Sequence, residues 1–474
     1  MAANIKHLIV LMLENRSFDH MLGFMKSATY KIDGLTGKES NPADPFHASA
    51  QFKVSASADY ILAIDPGHAL ADVNVQLFAN PGGPPAAAPA NSGFVFNYAQ
   101  QPHVTPDIAP RIMACFAPGK LPVLTRLAQE FAVCDRWFSS VPGPTWPNRF
   151  FAHCATSKGF LDNSAFRNYD MPTIFEKLGD KGLQWKIYFH DAAQALALRR
   201  LAAQDQVVNF VQYSSFARDA KNGKLPNYAF IEPRYFTGFS RANDQHPPHD
   251  VALGESLIAD VYNALRSSSA WNDSLLLILH DEHGGTYDHV LPPSAPPPDA
   301  NTAQFAFDRY GLRVPAVIVS PYVTRGTIVH DVFDHASIPA TLRELFSLGS
   351  ALTARDRKAN TFAKVANLGQ PRSDTPVKLG VPAAKSVKPR KAKARPRKSS
   401  LAAAPIPPQT LSDWQRSLID LANSLAAGAP ARAALRAAKP LESERAAALH
   451  VATATQLFLG SKKSGARKRR KSKA

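Results

Sequence analysis

Six short apolar runs, at 8–13, 131–134, 185–189, 228–231, 275–279 and 314–319, alternate with stretches at 121–131, 171–183, 256–265 and 336–346 whose apolar residues recur every three or four positions. The first pattern belongs to strands buried on both faces, the second to helices with one apolar stripe. Strands alternating with helices pack as a mostly parallel sheet covered on both sides, so the chain is expected to be an α/β protein. Its 474 residues, 45% of them hydrophobic, can bury a full-sized core, which excludes collagen-like, coiled-coil and disordered classes. Two segments rich in proline and alanine, 80–110 and 291–304, break the alternation and read as loops over one end of the sheet.

Charge divides the chain. The formal net charge is +17, and residues 381–474 alone hold 21 basic and 4 acidic side chains, so the body is neutral. A neutral body argues against a folded nucleic-acid-binding surface, and no specific nucleic acid partner is expected. Residues 1–368 are expected to form the body and 369–408 a linker rich in Pro, Ala and Lys. Residues 409–460 should form a small helical appendage, with Trp414, Leu418, Leu421 and Leu425 on one face, and 461–474 a disordered basic tail. Such a tail attracts polyanions and anionic membrane surfaces. Cys115, Cys134 and Cys154 cannot pair completely and lack metal-type spacing. The amino-terminal apolar run is short, is soon interrupted by Glu14 and lacks a small-residue cleavage site, so it reads as a first strand rather than a secretion signal. The chain as encoded is therefore expected to be soluble and cytoplasmic, with export by a signal-less route left open.

In open α/β sheets the site lies at the carboxyl ends of strands. Three such ends carry hard oxygen ligands. Glu14-Asn15 follows the first run; the plain structural alternative is that Asn15 or Ser17 caps the next helix and Glu14 compensates its dipole. His280-Asp281-Glu282-His283 follows the run at 275–279, a density of titratable groups that few structural needs explain. The third end is the proline-stiffened turn PGPTWPNR at 142–149, which presents Thr145 at a helix start, where free N–H groups favour an anion. Thr145 is a candidate nucleophile, with N-capping as its plain alternative. A divalent, oxygen-ligated cation held by Glu14, Asn15, Asp281 and Glu282 would activate its hydroxyl. Imidazoles at His68, His190 and His246, in strand-end or proline-containing loops, are candidates to bind phosphoryl oxygens or protonate a leaving group. His335, near a helix start, reads equally well as a cap or a core residue.

The strings ENRSFDH, GPTWPNR, HDEHGGTYDHV and RVPAVIVSPYV with FDHASI resemble, in order across 5–348, the bacterial phosphoesterase family that unites phosphatidylcholine-hydrolysing phospholipases C with acid phosphatases of the A type, within the alkaline-phosphatase-like superfamily. The resemblance implies that Glu14, Asn15, Thr145, Asp281 and Glu282 bind one metal ion, that Thr145 is the nucleophile, and that Asn15, His68 and His246 lie at the substrate phosphate. His190 carries over less distinctly. Threonine as nucleophile is similar to the phospholipase C branch, which points to a phospholipid head-group diester cleaved through a phosphothreonine; an acid phosphatase acting on monoesters is the alternative. From another class, a polyanion- or membrane-binding protein acting through its basic tail is a further alternative. Trp146 or Tyr287 is a candidate contact for a quaternary ammonium head group, against a plain packing role.

Overall fold

The computed structural model describes residues 4–238, 240–380, 411–426 and 443–471, with side chains as far as 464. Its strands are β1 (His7–Leu13), β2 (Ser40–Pro42), β3 (Gln51–Lys53), β4 (Ala132–Cys134), β5 (Trp185–Phe189), β6 (Phe210–Gln212), β7 (Tyr228–Ile231), β8 (Ser274–His280), β9 (Ala316–Val319) and β10 (Thr327–Val329). Eight of them form one sheet in the order β10-β4-β9-β8-β1-β7-β5-β6, and β2 pairs with β3 in a separate hairpin. All neighbours in the large sheet are parallel except β9, which runs antiparallel to both β4 and β8. The expected α/β architecture with a mostly parallel sheet is therefore the one observed. All six apolar runs became strands, and the four amphipathic stretches became the helices Pro122–Glu130, Ile174–Asp180, Val251–Arg266 and Ser337–Phe346.

Burial explains the hierarchy. β8 is buried along its whole length and β1 at every residue after His7, as continuous apolar runs in a twice-covered parallel sheet require. β1 sits between β7 and β8, so the chain winds away from it in both directions, and the crevice at its carboxyl end is the switch point of the sheet. The segment 80–110 is more ordered than a plain loop. It contains the helix Phe94–Ala99, whose Phe94 and Tyr98 join Val73, Leu77, Ile112 and Tyr287 in a second apolar cluster.

The carboxyl-terminal boundaries need correction. Residues 369–380, assigned to a linker, are fastened to the body: Arg372 Nη1 donates to the carbonyls of Glu130 (2.6 Å) and Val323 (3.0 Å), and Tyr262 Oη donates to that of Pro376 (2.5 Å). The remainder of the expected linker lies outside the described residues. The expected helical segment is two helices, Asp413–Ala426 and Glu444–Lys471, and the second continues into the stretch expected to be a disordered tail. Both pack on the body. Trp414 meets Trp146 and Tyr235 edge-on, each with ring centroids 5.8 Å apart. Glu444 Oε1 accepts from the Thr237 N–H (2.5 Å) and Gln415 Nε2 (3.0 Å) and lies 3.2 Å from His249 Nε2. No helix among the described residues is long and apolar enough to cross a membrane.

Burial opposes protonation of His249, but Asp244 and Glu444 outweigh it and push this imidazole up to about 10. Its folded pKa thus exceeds the unfolded value of about 6.5. The stabilisation it supplies is complete below that value and lost as pH rises through about 10. Thermal melting should therefore show falling stability from pH 6.5 to 10, with a weaker slope in His249→Gln. An unchanged slope would mean that this contact does not hold the carboxyl-terminal helices.

Candidate active site

β1 and β8 are in register, with Leu13 opposite His280, so Glu14-Asn15 and Asp281-Glu282 leave the sheet side by side at its carboxyl edge. The turn is immediate: Asn15 has a φ of 53°, in the left-handed region that asparagine tolerates better than most residues. Its N–H donates to Asp281 Oδ1 (3.1 Å), which also accepts the Glu282 N–H (2.8 Å). Gly284, at φ 61°, lies against this turn, and a Cβ there would stand 2.3 Å from the Asn15 carbonyl oxygen. Only glycine satisfies both the angle and the space. Ser17, as the plain reading of this region had it, caps the following helix by accepting the His20 N–H.

The helix Thr145–Cys154 brings two further groups. Thr145 is fully buried, and its hydroxyl donates to Glu14 Oε2 at 3.3 Å instead of capping the helix; Pro144 occupies the cap position. One turn on, Arg149 reaches Glu14 Oε1 through Nη2 (2.5 Å) and Asp281 Oδ2 through Nε (3.3 Å), while Nη2 also donates to the Met12 carbonyl (3.1 Å). The Trp146 N–H is taken by Asn163 Oδ1 (2.8 Å), so one donor expected to greet an anion at this helix start is already engaged. Trp146 itself is buried between Phe150, Tyr169 and Trp414, and Tyr287 packs on Phe94. Both aromatics are buried among other rings, the packing role that was the plain alternative for each.

Glu14, Asp281 and Glu282 are fully buried, and among the described residues Arg149 is the only arginine or lysine ion-paired to them. Burial drives the Glu14 carboxyl well above the usual range; Arg149 opposes this and Asp281 adds to it. Asn15 Oδ1 and Glu282 Oε1 are buried without a hydrogen-bond partner. Excess buried negative charge and orphaned oxygen donors are what a hard divalent cation completes, so the five expected ligands fit such an ion. They do not all face one way. Asp281 turns to Arg149, whereas Glu282 turns to the Gly284 N–H (2.6 Å) and to His68, whose Nε2 lies 3.9 Å from Glu282 Oε1. Asn15 Nδ2 also lies 3.5 Å from His68 Nε2.

His68 and His246 meet edge-on, with ring centroids 5.9 Å apart, and Asp65 Oδ2 lies 3.9 Å from His246 Nε2. Burial depresses His68, but the carboxylates of Glu282 and Asp65 prevail and push it up to about 9. His246 goes the other way, lowered to about 4 by burial against the pull of Asp65.

His190 is not part of this cluster. It stands at the end of β5, separated from β1 by β7 and hence by roughly 10 Å of sheet. Its ring stacks on Tyr213 at 4.2 Å, its Nδ1 bonds the Glu232 carbonyl (2.9 Å), and burial lowers it to about 3. His190→Ala should leave kcat/KM for a phosphoester within about 3-fold of wild type; a fall of 100-fold would return this residue to the site.

Several participants were not singled out from the sequence. Arg149 lies four residues after Thr145, a spacing that places both on one helix face. Asp65 opens the same DPGH string as His68. Gln194 Nε2 donates to Glu14 Oε1 (3.3 Å), and the Glu14 N–H donates to the Asp244 carbonyl (2.8 Å). His335 is buried, its Nδ1 accepting from Trp137 Nε1 (3.2 Å) and its Nε2 donating to the Asp281 carbonyl (2.5 Å), so it steadies the acidic loop.

With this geometry in view, three comparisons bear on the chain. The sequence model of the Phosphoesterase family matches residues 5–349. Non-specific phospholipase C3 of Arabidopsis thaliana is 43% identical over 406 residues, covering 80% of this chain and 76% of that protein. Phospholipase C B of Mycobacterium tuberculosis strain H37Rv is 27% identical over 428 residues, covering 78% of each. Among solved structures, the lipoteichoic acid synthase LtaP from Listeria monocytogenes overlaps 73% of this chain and 75% of its own at 12% identity and a TM-score of 0.36, too low to argue from.

Proposed function

We propose, from the premise that this chain belongs to the Phosphoesterase family and is a hydrolase acting on phosphate esters, that it is a phospholipase C which cleaves the head-group phosphodiester of a phospholipid through Thr145. The observation that carries the reading is a buried threonine hydroxyl, with Glu14 as its one hydrogen-bond acceptor, at the carboxyl edge of the β1–β8 pair. One divalent cation held by Glu14, Asn15, Thr145, Asp281 and Glu282 would, when bound, lower the pKa of that hydroxyl and offset charge on the phosphoryl oxygens.

The side chains divide the remaining work. Thr145 Oγ1 attacks phosphorus, and its proton has an acceptor in Glu14 Oε2 at 3.3 Å. Arg149 holds Glu14 and Asp281 apart at fixed positions. Asn15, His68 and His246 face the phosphoryl group, and the departing alkoxide takes a proton from the His68 imidazolium, which Glu282 and Asp65 hold charged at neutral pH, and leaves as the alcohol. Water then hydrolyses the phosphothreonine. The cationic carboxyl-terminal region favours an anionic lipid surface as the place where substrate is met.

Release of p-nitrophenol from p-nitrophenyl phosphorylcholine and from p-nitrophenyl phosphate, each with and without chelator, tests this reading. Diester preference with loss of activity on chelation is expected. Monoester preference would make the enzyme an acid phosphatase, and no turnover of either would leave a polyanion- or membrane-binding protein.

A further inference from the structure

We propose that an open cavity at the carboxyl ends of β5, β6 and β7, apart from the catalytic cluster, binds a small zwitterion: a primary amine that carries a phosphate. The cavity measures about 280 Å³. Each strand end supplies part of its wall: His190 follows β5, Gln212 to Ser214 close β6, and Arg234 and Asn243 follow β7. The helix Val251–Arg266 adds Leu257 and Asp260, three residues apart and therefore on one face. Leu257 is buried, and Asp260 reaches water at the rim. An apolar base with a few convergent polar groups is the make-up of a small-molecule site.

The donors are held in place without being used up. The Arg234 backbone N–H donates to Asn243 Oδ1 (2.6 Å), and the Asn243 N–H donates to the Arg234 carbonyl (3.0 Å), so both side chains leave one fixed turn. With its oxygen engaged, the Asn243 amide has Nδ2 to offer. Among the described residues the Arg234 guanidinium has no ion-pair partner and makes one hydrogen bond, from Nη1 to the Arg241 carbonyl (3.2 Å). Asp191 feels this charge, yet its two oxygens already accept the N–H groups of Ala192, Tyr235 and Phe236. A guanidinium, the amides of Asn243 and Gln212 and the Ser214 hydroxyl, lining one cavity, are a donor set for phosphate.

Acceptors for an ammonium group line the same cavity. His190 bonds the Glu232 carbonyl through Nδ1, which therefore carries the hydrogen, and burial keeps the ring neutral, so Nε2 presents a lone pair. Tyr213, stacked on that ring, fixes its plane. Among the described residues no cation offsets Asp260, whose carboxyl is raised by partial burial alone. A primary ammonium has hydrogens for both Nε2 and this carboxylate, whereas a quaternary one has none to donate. A plain anion would leave these acceptors idle, and a plain amine would leave Arg234 idle. His190, which strand order keeps from the catalytic cluster, gains a binding role here.

Choosing phosphate over carboxylate as the anion rests on the phosphoesterase reading. Binding is measured without turnover, so the two fail separately. Chelator-treated full-length protein, dialysed to equilibrium against phosphoethanolamine, should retain about one molecule per chain, with Kd raised about tenfold or more in Arg234→Ala and in Asp260→Asn. Asn15→Ala, a variant of the catalytic cluster, should change Kd by less than about twofold. Phosphocholine, inorganic phosphate and ethanolamine should each bind about tenfold more weakly than phosphoethanolamine. Circular dichroism melting verifies that the variants fold; both cavity substitutions are at partly accessible positions. Co-sedimentation with phosphatidylcholine vesicles, with and without phosphatidylethanolamine, separates the two sources of this chemistry. A gain on the mixed vesicles in wild type but not in Arg234→Ala makes the ligand a lipid head group, and no gain makes it the free phosphorylated amine. Binding lost in Asn15→Ala but kept in Arg234→Ala would place the ligand at the catalytic cluster. Tighter binding of β-alanine than of phosphoethanolamine would replace the phosphate by a carboxylate, and no retention by wild type would leave only a solvated cleft. Each of these three results would overturn the proposal.

Discussion

Thr145→Ala is expected to lower kcat/KM by about 10⁴-fold or more, because it removes the nucleophile itself rather than a group that assists it. The fold should lose far less than the activity. Among the described residues the hydroxyl has one hydrogen bond, to the Glu14 carboxylate, and losing a bond to a charged group costs about 1.5–3 kcal/mol. Activity and stability therefore separate in this variant, as they would not for a residue that merely supports the site. Thr145→Ser, which keeps the oxygen, should remain measurably active, whereas Thr145→Val, which keeps the shape, should be as inactive as the alanine variant. Acid quenching during turnover should trap a phosphorylated chain in wild type and none in Thr145→Val. Activity of Thr145→Val within tenfold of wild type would remove the covalent route, and the phosphoester would then have to be attacked directly by water.

What the sequence disclosed follows from which forces leave a pattern. β1, β7 and β8 are buried on both faces, so their apolar runs are uninterrupted and their ends are marked by the first polar residue. That is also why Glu14, Asn15, Asp281 and Glu282, the proposed ligands, were singled out: the strand ends were visible, and sites in open α/β sheets lie there. β6 and β10, three residues each at the two edges of the sheet and only partly buried, are too short to stand out. The reversed direction of β9 left no trace either, because an apolar run reads the same both ways. His190 shows the limit of the strand-end rule. It does follow a strand, but strand order, which no local pattern encodes, puts β7 between it and the site. Arg149 and Asp65 were hidden differently. A buried arginine is recognised by the carboxylates it neutralises, and those lie more than 130 positions away in either direction.

In metal-free protein, Arg149→Met is expected to destabilise the fold by about 3–5 kcal/mol, the cost of leaving buried charge without its partner. Methionine fills much of the same volume, so the loss is electrostatic and not a cavity. Removing the guanidinium strands Glu14 and Asp281, both fully buried, and also strips a donor from the Met12 carbonyl. The midpoint of urea unfolding should fall accordingly, with little change in m-value. Because burial already drives the Glu14 carboxyl above its usual range, this variant should take up a proton there and lose stability less at low pH than at neutral pH. A second substitution, Glu14→Gln, should restore part of the loss, since it removes one stranded charge; the pair is therefore non-additive. Activity should not return with stability, because Gln at 14 cannot accept the threonine proton. If Arg149→Met instead cost less than about 1 kcal/mol after chelation, the two carboxylates would have to be neutral in the folded protein without Arg149, and it would not be the partner that balances them.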